Sequence, residues 1–99
     1  MILETEHGGQ STISTAAEIT QRLNHLDGYA ILGPDEYTYM QASGSPGETY
    51  TLEYQEGSLD RHFVSETPVD EATMIQAFVN YFQQNPEWKS SIVWEIMDL

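Results

Sequence analysis

The apolar residues of this chain fall into two helical stretches and a run of short strands. Ala16, Ile19, Leu23 and Leu26 recur at helical spacing behind the cap candidates Ser14 and Thr15, and Asp27-Gly28 supplies a stop. One helix of about three turns is therefore expected from Ala16 to Leu26. The Gly/Ser/Thr-rich stretch from Gly8 to Thr15 before it reads as a loop.

Strands follow. Tyr29 to Leu32 is apolar and ends at Gly33-Pro34-Asp35, and in Tyr37 to Ser43 the residues Tyr37, Tyr39 and Gln41 alternate with Thr38, Met40 and Ala42. Gly44-Ser-Pro-Gly47 then turns the chain into Thr49 to Gln55, where Tyr50, Leu52 and Tyr54 share one face in the cleanest period-two signal present. Glu56-Gly57-Ser58 is a tight connection to a further strand, Leu59 to Glu66, with Leu59 and Phe63 on one face.

A second helix starts near Thr67-Pro68-Val-Asp70, with Thr67 as cap and Pro68 in the first helical position, or with Asp70 itself as cap. Its expected buried stripe is Ala72, Ile75, Phe78, Val79 and Phe82, and Asn85-Pro86 ends it. Ser91 to Met97 is apolar on both alternating faces, which predicts a covered interior strand with Trp94 as a core anchor. The expected fold class is α+β: one domain over residues 1–99, an antiparallel sheet of about five strands with two helices packed on one face.

Charge changes this picture more than composition does. Sixteen Asp and Glu stand against Arg22, Arg61 and Lys89, a formal net charge of −13. A field of that sign repels nucleic acid and anionic lipid and speeds encounter with a cationic protein surface, so a basic protein partner is expected, with no nucleic acid and no membrane. Acidity for solubility alone usually interleaves both signs, and here almost no cation is available for pairing. The absence of cysteine fits a reducing, cytoplasmic setting, and Met1 to Gln10, with Glu4 and Glu6 and no apolar run, carries neither a signal peptide nor a membrane span.

Candidate chemistry is sparse. His7, His25 and His62 lack the paired spacing of zinc enzymes, and no calcium loop, phosphate cradle or nucleophile elbow is present. The pairs Asp35-Glu36 and Asp70-Glu71 suit a turn and a helix start. No catalytic residue, metal or cofactor is expected.

The carboxy-terminal half carries a resemblance. Tyr54-Gln-Glu-Gly57 precedes an aromatic strand through His62-Phe63, then a helix reading Ala77-Phe78-Val-Asn-Tyr81-Phe82, then Pro86-Glu-Trp88 and the closing Ile92-Val-Trp94-Glu95. Together these resemble immunity family one of bacterial polymorphic toxin systems: small α+β proteins encoded beside a toxin gene, often a deaminase toxin, with a Trp in the last strand. The resemblance implies a stoichiometric inhibitor, monomeric when free, that covers the basic active-site cleft of its cognate toxin domain so that the producing cell survives.

Two other classes share the acidity. A nucleic-acid mimic would set carboxylates at phosphate-like spacing, and a chaperone for a secreted effector would show an exposed apolar groove and a homodimer. Acids combine with aromatics on short, turn-linked strands at Asp35, Glu36, Tyr37, Tyr39, Glu53, Glu56 and Asp60, and the partner contact is expected to centre there.

Overall fold

The computed structural model describes residues 1–97. In chain order the elements are β1 (Ile2–Thr5), β2 (Gly9–Thr12), α1 (Ala16–Leu23), β3 (Gly28–Gly33), β4 (Thr38–Gly44), β5 (Tyr50–Glu56), β6 (His62–Ser65), α2 (Glu71–Phe82), α3 (Glu87–Ser90) and β7 (Trp94–Ile96). The strands form one sheet in the order β2-β1-β3-β4-β5-β6-β7, with every pairing antiparallel. The chain is thus α+β, as its pattern predicts.

The alternation in β5 accounts for the layering. Tyr50, Leu52 and Tyr54 all point to the buried side, where they join Leu3, Ala30, Leu32, Met40 and Ala42 from the strands beside them. From the other layer, Ile19 and Leu23 of α1 and Met74, Ala77 and Phe78 of α2 complete the same core. The helices therefore cover one face of the sheet, and burying this apolar surface is the main term that holds the two layers together.

Local signals fix the helix ends. Thr15 caps α1 in a capping box: its hydroxyl oxygen accepts from the Glu18 N–H, and Glu18 Oε1 accepts from the Thr15 N–H at 3.0 Å. At the far end the helix stops at Leu23, about one turn short of the expected Leu26, because Asn24 leaves helical geometry and His25 turns back at φ 57°. Leu26 stays buried all the same, and its carbonyl accepts the Tyr50 hydroxyl at 2.6 Å.

Several expectations need correction. The sheet has seven strands, not about five, and there are three helices, not two. Residues 8–15 are not simply a loop, for Gly9–Thr12 pairs with β1 to form a hairpin. Arg22 of α1 braces that hairpin by donating to the carbonyls of Leu3 (3.3 Å) and Gly9 (2.8 Å) and to the hydroxyls of Thr5 and Ser11. Leu59 to Arg61 is a single 3-10 turn with Leu59 exposed, so β6 begins only at His62.

The stripe of α2 is also rotated from the expected one. Met74, Ala77 and Phe78 are buried, whereas Ala72 is exposed and Ile75, Val79 and Phe82 are only half-buried. Asp70, the second cap candidate, is the actual cap, its carboxylate accepting from the Thr73 N–H at 2.8 Å. Finally, β7 is an edge strand and not an interior one: it ends the sheet order among the described residues, Ile96 is 68% exposed and Glu95 is exposed, as is Val93 just before the strand at 67%. Among the described residues no helix is long and apolar enough to cross a membrane.

Candidate protein-binding face

Because all three helices lie on one side, the other face of the sheet is left uncovered. Register places one residue from each strand in a row across it: Gln10, Glu4, Ile31, Gln41, Glu53, Val64 and Glu95. Beside it runs a second row of Tyr39, Gln55 and His62. Carboxylates, amides and tyrosines thus share a surface with a few β-branched residues, a mixture suited to contact with another protein.

Most of the expected contact residues gather at one end of this sheet, with Glu53 at the middle of β5, and they do not all face the same way. Asp35, Glu36 and Tyr37 form the exposed β3–β4 turn, held by Asp35 Oδ1, which accepts from the N–H groups of Tyr37 (2.8 Å) and Thr38 (2.9 Å). The segment carrying Glu56 and Asp60 lies against it, with the Gly57 N–H donating to the Tyr37 carbonyl at 3.0 Å. Tyr39 and Glu53 project onto the uncovered face, and Asp60 is exposed on the 3-10 turn.

Glu56 parts from the others. It faces the helix side, where its carboxylate is 3.2 Å from both Lys89 Nζ and Arg61 Nη2. Partial burial pushes its carboxyl up, yet the Lys89 ammonium and the Arg61 guanidinium outweigh this and hold it below the ordinary value. Two of the three side-chain cations are therefore engaged at Glu56 and the third, Arg22, on backbone carbonyls and hydroxyls at the hairpin. Among the described residues no Lys or Arg pairs with a carboxylate of the uncovered face.

His62 is the functional-looking residue that the contact list lacked. It is 4% exposed, and Tyr39 meets its ring edge-on at 6.1 Å. Its Nε2 lies 2.8 Å from Glu53 Oε1 and its Nδ1 lies 3.0 Å from Gln55 Oε1. The Gln55 amide nitrogen is committed to the Tyr37 carbonyl, so both oxygens facing the imidazole are acceptors. His62 consequently fixes the carboxylate of Glu53 from below, a role no spacing rule reveals. The histidines stay apart, and among the described residues no group of three or more His, Asp or Glu is arranged to hold a metal.

On the same face Glu4 accepts from the Tyr29 hydroxyl (2.7 Å) and the Gln10 amide (2.8 Å), and these two bonds, Tyr29 first, lower its carboxyl. Asp70 is lowered by Thr73, through its hydroxyl and then its backbone N–H. Depressed carboxyls contribute stability above their unfolded values near 4, and that stability is lost as pH falls through the folded values. Tyr81 runs the other way: burial first, then the charges of Glu56 and Asp35, push its phenol up to about 12. Its contribution is complete below the unfolded value near 10 and is lost as pH rises toward 12. The urea midpoint should accordingly fall below about pH 4 and again above about pH 10. A midpoint that held steady from pH 10 to 12 would contradict the burial of Tyr81.

Compared with known families, curated proteins and solved structures, the chain finds no match in any of the three.

Proposed function

We propose that the chain is an immunity-type inhibitor of the bacterial cytoplasm that binds, one-to-one, a toxin domain with a basic active-site cleft. It covers that cleft with the helix-free face of its sheet and the adjoining β3–β4 turn. The observation that carries this reading is the uncovered, carboxylate-bearing face, whose acids have no Lys or Arg partner among the described residues while all three side-chain cations are engaged elsewhere. Such a face supplies charge complementary to the Lys and Arg that a nucleic-acid- or nucleotide-targeting toxin must present, and its tyrosines supply rigid anchors. The resemblance of the carboxy-terminal half to immunity family one supports the same reading, and no catalytic role is proposed.

Glu56 leaves the contact set in this reading, since reversing it would break its ion pairs with Lys89 and Arg61. The test is therefore Asp35→Lys with Glu36→Lys, measured for binding to the basic domain encoded beside the gene. Affinity should drop at least tenfold, about 1.4 kcal/mol, with little change in melting temperature. The same reversal at Asp27 and Glu48, exposed at the opposite ends of these strands, should cost far less. Association should also slow steeply as salt rises. Equal losses from both pairs, or a rate indifferent to salt, would remove this face from the interface.

A further inference from the structure

The uncovered face is not flat. Beside the β3–β4 turn it holds a groove of about 420 Å³, a volume within the range of ligand clefts. Ile2, Ile31 and Pro34 give it apolar surface, Tyr39 gives it an aromatic wall, and Glu4 and Glu36 bring carboxylates to it. At Gly33, a Cβ would run into the Thr38 carbonyl oxygen and the Tyr39 backbone, so only glycine permits the close approach of chain that shapes this end of the groove.

We propose that this groove receives an arginine side chain from the basic partner, an inference that rests on the inhibitor reading above. The occupant follows from matching chemistry to lining. A cation is selected by carboxylates that have no cation of their own, and the apolar surface fits the methylene stem of a long basic side chain. Arginine is favoured over lysine because its planar guanidinium stacks on an aromatic ring and offers paired donors to a carboxylate. Glu4 is already oriented for this: the Tyr29 hydroxyl and Gln10 amide each hold one oxygen, and each oxygen keeps a further lone pair for an incoming donor.

The test is a titration of the full chain, followed by NMR, with three small probes: the blocked amides of arginine, of lysine, and of citrulline, which has the shape of arginine without its charge. The arginine probe should move the methyl signals of Ile2 and Ile31 and the ring signals of Tyr39, with lysine weaker by about fivefold and citrulline silent. Glu4→Gln should weaken the arginine response by about fivefold while leaving the remaining amide spectrum in place. Glu36→Gln, on the exposed turn, is a second variant and should weaken it about twofold. Equal responses to arginine and lysine, shifts confined to other acidic regions, or indifference to both variants would overturn the assignment. A chain that binds the basic domain while its groove ignores arginine would sink the groove alone, whereas a groove that takes arginine in a chain that binds no basic domain would sink the inhibitor reading alone.

Discussion

Tyr54→Ala should bring the protein close to unfolding. Tyr54 is 3% exposed at the middle of the aromatic packing between the sheet and α3. Phe63 stacks on it at 4.7 Å, while Trp88 and Trp94 meet it edge-on at 4.9 and 4.6 Å. The Lys89 ammonium lies 5.5 Å from its ring centroid, and the same lysine reaches Glu56. Truncating a buried aromatic costs about 3–5 kcal/mol, and each lost aromatic pair adds about 0.5–1.5 kcal/mol beyond area burial. Domains of this size hold only about 5–15 kcal/mol in all, so urea unfolding should show the midpoint of Tyr54→Ala near zero denaturant. Tyr54→Phe, which keeps the ring, should stay within about 1 kcal/mol of the parent. Equal losses from the two changes would mean that the hydroxyl matters and the ring packing does not.

The second large effect is expected at His62. Its ring nitrogens lie 2.8 Å from Glu53 Oε1 and 3.0 Å from Gln55 Oε1. His62→Leu removes both contacts at once and strands a carboxylate that is largely withdrawn from water, its side chain 18% exposed. Breaking a buried pair from one side costs about 3–5 kcal/mol, and the residual exposure of Glu53 puts the expected loss near 3 kcal/mol. The companion change Glu53→Leu, combined with His62→Leu, should recover part of that loss because the stranded carboxylate is then gone. Denaturant titrations of the two single variants and the double variant close the cycle. Strict additivity would show that the pair is not coupled.

What the sequence made legible was decided by how far each signal depends on distant residues. The strands β3, β4 and β5 announce themselves through alternation and Gly/Pro turns, and all three lie where expected. β2 does not, since Gly9-Gln-Ser-Thr12 contains no apolar residue and is a strand only because β1 pairs with it. β7 misled in the opposite sense: apolar on both faces, it reads as interior, but among the described residues no strand pairs with its outer side. The start of α2 turned on which of Thr67 and Asp70 caps it, and its buried face, Met74, Ala77 and Phe78, follows from packing onto residues distant in sequence. For the site, the acids and tyrosines that composition singled out are placed on the β3–β4 turn, the uncovered face and the 3-10 turn, with Glu56 alone turned to the helix side. The pairing of Glu56 with Lys89, 33 residues away, and the placement of His62 under Glu53 follow from strand register and chain reversal, which no short window contains.

The edge of β7 gives salt a second meaning. An edge strand with exposed apolar side chains is a template onto which another copy can add its own strand, and here Ile96 of β7 and Val93 just before it are exposed. Proteins guard such edges with short strands, charges or proline, and β7 carries two of these, its length of three residues and the exposed Glu95. A global guard adds to them: copies that each carry a net charge of −13 repel one another before their edges can meet. At about 1 M salt the screening length shrinks to about 3 Å, so high ionic strength removes that barrier to self-association. The acidic field is thus also what keeps the protein apart from copies of itself.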